Sequence, residues 1–129
     1  MSSRVEELRG ECEDWHFVGS TNDYGVTFSN SWANVGGASD PPAAFMKDKM
    51  GFVHLIGRID TGTTGTVAFT LPVGYRPAYH NVQIVSNNNG GPGPGGATVR
   101  IDLTTNGNVT PYFSAGTDMR LDGVIFRAA

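Results

Sequence analysis

The chain has 129 residues, a net charge of −3, 16% charged residues, 18 glycines and a single cysteine. That length closes one hydrophobic core, and so few charges among so many glycines fit short strands joined by tight turns and fit long helices badly. The acidic balance and scattered basic residues argue against nucleic acid as a partner, Cys12 alone cannot build a disulfide framework or a cysteine zinc site, and no run approaches the roughly 18 apolar residues that span a bilayer.

Residues 1–14 are read as a separate helical segment. Val5, Leu8, Cys12 and Trp15 are spaced 3, 4, 3, the a and d positions of a heptad seam. Ser3 with Glu6 forms a capping box at the helix start. So short a helix is marginal alone in water, so the segment is expected to pack, either as the last turns of a stalk that gathers several chains or as an amphipathic helix on its own domain. Its charged start, without an apolar stretch, is not expected to be a signal peptide. The lone cysteine fits synthesis in a reducing cytosol.

From Trp15 to Ala129 the sequence reads as strands and turns, one head domain over 15–129. Trp15–Val18 is a short strand, and 26–35 a longer one with Val26, Phe28 and Trp32 at alternate positions. Ala43–Asp48 leads through a hairpin turn into Gly51–Asp60. There Val53, Leu55, Gly57 and Ile59 face one side, and His54, Ile56, Arg58 and Asp60 the other, the period of a half-buried strand. Thr66–Leu71 is the next strand. It runs into Pro72-Val73-Gly74-Tyr75-Arg76-Pro77, a corner where neither helix nor ladder can continue.

Tyr79–Ser86 follows as a strand, then Asn87–Gly96, a glycine- and proline-rich run with nothing apolar to bury, read as a solvated loop. Ala97–Leu103 alternates with Val99, Ile101 and Leu103 inward. Asn106-Gly107 is a strong hairpin signal, and Pro111 marks the returning 108–113 strand as an edge. Met119–Phe126 closes the chain. Short strands with turn signals roughly every 8–12 residues define an all-β antiparallel β-sandwich, expected to be jelly-roll-like. Its expected core is Val53, Leu55, Ile59, Val67, Phe69, Val99, Ile101, Leu103, Leu121 and Phe126.

No catalytic constellation emerges. Nucleophile and phosphate-loop motifs are missing, and the 90–96 glycines are interleaved with prolines that lack the N–H donors a phosphate cradle needs. Glu6, Glu7, Glu11, Glu13, Asp14 and Asp23 lie in or near the N-terminal segment, and Asp60, Asp102, Asp118 and Asp122 fall at strand edges and turns, where aspartate caps backbone N–H groups. His16, His54 and His80 lack metal-ligand spacing, so no metal or other cofactor is expected. Among the aromatics, the phenylalanines and Trp15 read as core, with Trp32 and Tyr75 half-buried. Tyr24, Trp32, Tyr79 and Tyr112 could stack on sugar rings, and for the three tyrosines that reading and a core role stay open. Tyr75 reads as locking the corner, and Arg76 as a candidate to pair with a carboxylate across a subunit boundary.

The strand "Gly-x-Val-x-Leu-x-Gly-x-Ile" at 51–59, followed by "Phe-Thr-Leu-Pro-x-Gly-Tyr-Arg-Pro" at 69–77, resembles the C-terminal head domain of bacteriophage fibres and receptor-binding proteins. "Phe-x-Asn-x-Trp-x-Asn-x-Gly" at 28–36 and "Leu-x-Gly-x-x-Phe-Arg" at 121–127 look like that family's opening and closing strands. Asn87–Gly96 is longer and richer in proline than the family pattern. The resemblance implies a homotrimeric virion protein, made in the host cytoplasm, joined to other virion proteins through its N-terminal segment. It implies a non-catalytic head that binds a bacterial surface glycan or protein. The amides of Asn87, Asn88 and Asn89, with Tyr79 or Tyr112 as stacking platform, are the candidate receptor site. Val5, Leu8, Cys12 and Trp15 are the candidate trimer stalk. Two alternatives stay open: a structural virion piece such as a head fibre, decoration knob or collar spike, and, more remotely, a cellular carbohydrate-binding module.

Overall fold

The computed structural model describes residues 13–19, 24–36, 40–86, 98–113 and 118–129. The expected helix therefore lies outside the described residues except for Glu13 and Asp14, which are not helical, and the expected loop 87–96 lies wholly outside them. Among the described residues the chain is all β. Its strands are β1 (His16–Phe17), β2 (Ala33–Asn34), β3 (Ala44–Lys47), β4 (Phe52–Ile56), β5 (Arg58–Asp60), β6 (Phe69–Thr70), β7 (Asn81–Ser86), β8 (Thr98–Leu103), β9 (Asn108–Tyr112), β10 (Met119–Arg120) and β11 (Ile125–Arg127). They form three antiparallel sheets, ordered β1-β3-β4-β11, β10-β5-β2 and β6-β9-β8-β7, around one core.

The 51–60 segment alternates as its sequence predicts, with Val53, Leu55 and Ile59 buried, yet it is two strands in two sheets. Gly57 is the break. Its φ of 118° lies where L side chains rarely go, and an added Cβ would sit 2.5 Å from the Cα of Ala43. Only glycine permits the backbones to meet this closely. The 119–126 segment breaks against the same point. Leu121 donates its N–H to the Gly57 carbonyl, Gly57 donates to the Asp122 carboxylate at 3.0 Å, and Leu55 donates to the Val124 carbonyl. A tight turn from Leu121 to Val124 thus divides the closing segment into β10 and β11.

Several expectations from local pattern give way to tertiary structure. Residues 26–35 form a strand only at Ala33–Asn34, because Asn30 and Ser31 adopt positive φ and turn the chain. That turn is held by the Asn30 amide on the Val67 carbonyl and by the Ser29 N–H on Ala68. Val26 and Trp32 are still buried; Trp32 stacks over Gly62, where a Cβ would fall inside its ring, and bonds Thr66 through its indole N–H. Val67, expected in the core, is only half-buried. A turn from Thr63 to Thr66 rotates the chain just before β6, and Ala68 and Phe69 point inward in succession instead.

β9 is an internal strand, not an edge. The carbonyls of Gly107, Val109 and Pro111 accept from Leu71, Ala68 and Gly65, so odd-numbered residues direct their backbone groups away from β8. The missing N–H of Pro111 thus falls beyond the end of the two-residue β6, and the β8 ladder loses nothing. Phe17, expected in the core, is 40% exposed on the short edge strand β1, whereas Trp32 and Tyr75 are fully buried rather than half-buried.

Candidate functional site

The corner at 72–77 is built around Tyr75. Its N–H closes the turn onto the Pro72 carbonyl, and its ring packs against Phe45, His16 and Tyr24 with centroids 5.2, 5.7 and 5.3 Å away. The hydroxyl donates to the Glu13 carboxylate at 2.6 Å and meets the Tyr24 hydroxyl at 3.1 Å. Burial, then the bond to Glu13, holds the phenol pKa far above the usual tyrosine range. Lys47 lies over the ring and donates to the Gly74 carbonyl at 2.9 Å. Tyr75 therefore locks the corner, as its sequence suggests, and ties Glu13, at the approach to β1, to a position 62 residues away.

Beyond the corner, Pro77 bridges to Ala128, and the chain emerges at Tyr79. Tyr79 is 83% exposed and stands over an open cleft of about 440 Å³, lined by Pro77, Ala78, Asn81, Arg127 and Ala128 with Ala129. This offers a large aromatic face, an amide and a guanidinium to one small ligand. Arg127 is itself oriented by the Phe52 ring, 5.8 Å from the centroid.

Tyr112 projects from the outer face of the sheet β6-β9-β8-β7. The Arg100 guanidinium covers its ring at 4.3 Å and pairs with Asp102 at 2.9 Å, and His80 approaches Asp102 at 3.4 Å. One face of Tyr112 is thereby occupied, which leaves Tyr79 the more open platform. Sequence reading missed both Arg100 and Arg127. The signal was present for Arg100, which the β8–β9 register places directly opposite Tyr112. Asn87, Asn88 and Asn89 lie outside the described residues, as do Val5, Leu8 and Cys12. Trp15 is half-buried in an irregular stretch before β1.

Several other charged groups are tied up in structure. Arg58 bonds Asp118 at 2.7 Å and Asp40 at 2.9 Å, and Arg120 reaches Asp40 at 3.0 Å. The Arg58 guanidinium, with that of Arg120, holds the Asp40 carboxyl below its usual range. Asp48 caps the β3–β4 turn through the Met50 and Phe52 N–H groups and pairs with His54 at 2.8 Å. Among the described residues no group of three or more His, Cys, Asp or Glu side chains is placed to hold a metal ion. Nor is any helix long and apolar enough to cross a membrane.

Three antiparallel sheets around one core form a fold that is also found in a phage receptor-binding protein. Specifically, the chain is similar in structure to the receptor binding protein (gp15) of Listeria phage PSA, with a TM-score of 0.73 over 99% of this chain and 73% of that one, at 16% sequence identity. No family model matches the sequence, and no curated protein matches it significantly. The resemblance read from residues 51–77 is thus met at the level of fold, where sequence identity is low.

Proposed function

We propose that the chain is the non-catalytic head of a virion appendage, a jelly-roll-like sandwich that attaches a phage to a glycan or protein on its bacterial host. The observation that carries this reading is the fold likeness to a receptor binding protein over nearly the whole chain, and fold alone leaves function to the site. The Tyr79 cleft supplies that site: an aromatic platform flanked by Asn81 and Arg127 suits a sugar ring, which stacks its C–H face and bonds through its hydroxyls. The engagement of Asp40, Asp118 and Asp122 with arginines or backbone supports binding rather than acid–base chemistry. Asn87, Asn88 and Asn89 would extend the same recognition surface.

In this proposal three copies assemble, with residues 1–14 as the stalk that also meets other virion proteins. The outward-facing Val82 and Ile84 of β7, 53% and 65% exposed, are the surface assigned to contact between copies. Weak binding at each Tyr79 would then be multiplied by three linked sites. The test is adsorption of particles carrying Tyr79→Ala. An exposed side chain does not disturb folding, so particles should assemble normally and adsorb at least about 10-fold less. Normal adsorption together with labelling of the chain on the capsid would instead make it a structural knob.

A further inference from the structure

A second cleft, of about 340 Å³, opens between the 24–29 segment and the 70–76 corner, lined by Tyr24, Thr27, Ser29, Thr70, Pro72 and Arg76 among others. Its chemistry differs from that of the Tyr79 cleft. The charged side chain in its lining is Arg76, and among the described residues no acidic side chain lines it. Arg58, Arg100 and Arg120 each have a carboxylate within 3.0 Å, and Arg127 lies over Phe52. Arg76, like Arg127, has no carboxylate partner among the described residues; its hydrogen bond goes to a neutral group, the Leu71 carbonyl, which accepts from its Nε at 2.7 Å.

That bond fixes the guanidinium. Gly107, at the hairpin turn with φ of 91°, provides the shelf beneath it, since an added Cβ there would lie 2.7 Å from the Arg76 Nε and 3.1 Å from its Cγ. The side chain is half-buried and its terminal N–H groups remain unused by the described residues. A partly desolvated cation without a counter-ion favours an anion strongly, and the planar fork of arginine grips two anionic oxygens at once. Around it stand the Thr27 and Ser29 hydroxyls, which have no side-chain partner among the described residues, and the Thr70 hydroxyl, which donates to Asn108 and can still accept.

We infer that this cleft is a subsite for an anionic carbohydrate. Arg76 takes the carboxylate or phosphate of the sugar unit, and Thr27, Ser29 and Thr70 bond its neighbouring hydroxyls. The inference rests on the attachment reading and names a substrate class for it: an acidic or phosphorylated surface polysaccharide rather than a neutral one.

Amide and arginine Nε–H resonances of the intact chain are followed while glucuronate, glucose 6-phosphate or glucose is added. Saturable shifts at Arg76, Thr27, Ser29, Thr70 and Gly107 are expected with one or both anionic sugars, and the stronger of the two identifies carboxylate or phosphate as the group bound. Glucose should bind at least about 10-fold more weakly. Arg76→Gln should abolish the shifts. Because it also releases the Leu71 carbonyl, the double variant Thr27→Val, Ser29→Ala is measured beside it and should weaken binding while leaving Arg76 and the fold intact. Equal shifts with glucose, or none with either anion up to tens of millimolar, would overturn the site. So would dissociation of the assembled oligomer by Arg76→Gln, which would make a neighbouring copy's carboxylate the partner. In particles, normal adsorption of Arg76→Gln beside failure of Tyr79→Ala removes the anionic subsite and leaves the attachment reading standing. Normal adsorption of both removes the attachment reading itself.

Discussion

Ile84 and Ile101 lie on neighbouring strands of one sheet, a single register position apart, since Ile101 pairs with Gln83 and Ile84 with Arg100. One is fully buried and the other 65% exposed. The inner face carries Val85, Val99, Ile101, Leu103 and Val109 into the core. The outer face carries Val82, Ile84 and Tyr112 toward solvent, around an Arg100–Asp102 pair. Both faces hold large apolar side chains, so local hydrophobicity does not distinguish them. What distinguishes them is the second layer: the inner face is covered by the other two sheets, and the outer face has apolar residues that the fold itself does not use. Residues of the first kind report on stability, and those of the second on what the domain meets.

The largest effect expected on the inner side is at Gly57. Gly57→Ala forces a Cβ into the Ala43 backbone at a φ of 118°, and strain plus displacement should remove more than about 3 kcal/mol. Little folded protein is expected by circular dichroism and soluble yield. Ile101→Ala comes next. It leaves a cavity in a closed core and should lower the unfolding free energy in urea by about 2–5 kcal/mol.

Most of this frame was legible in the sequence. Period two located β4 and β8, and the Asn106-Gly107 and Pro72–Pro77 signals marked turns where they occur. The failures share one cause. At Val26–Val35, Val67 and Phe17, local alternation was read without knowing which neighbour the chain would bond. Backbone bonds from Ser29 and Asn30 to residues 67–68, the Thr63–Thr66 turn and the brevity of β1 decide those positions. The sheet switch at Gly57 was hidden because the alternation continues straight through it. At the candidate site, Tyr79 was legible as an aromatic after a corner. The Arg76 cleft was not, because it is assembled from residues more than 40 positions apart.

Acid should separate the frame's ionic supports from its apolar ones. His54 and the Phe52 and Met50 amides depress the Asp48 carboxyl pKa, and Arg58 with Arg120 depresses that of Asp40. A depressed folded pKa gives stability that is complete above the unfolded value and is lost as pH falls through the folded one. Urea midpoints should therefore hold steady above about pH 5 and decline below about pH 4. Asp48→Asn should start lower at neutral pH and decline less. An equal decline in the variant would mean that Asp48 contributes nothing to the acid sensitivity.

The smallest effect on stability is expected at Ile84, and it tests the comparison most directly. Ile84→Ala removes the same atoms as Ile101→Ala, yet its side chain is already mostly in water, so the unfolding free energy should change by only about 0.5 kcal/mol. A loss near that of Ile101 would show that the outer face is covered within the monomer, and the distinction between faces would collapse. Ile84→Asp extends the test from folding to assembly. A carboxylate at an exposed strand position is compatible with the folded domain. At a contact between copies it would need to be desolvated without a partner, which is strongly unfavourable. Sedimentation velocity should then show a shift toward a 13.7 kDa species, with the urea midpoint nearly unchanged. An oligomer that survives Ile84→Asp intact would move the contact between copies away from β7.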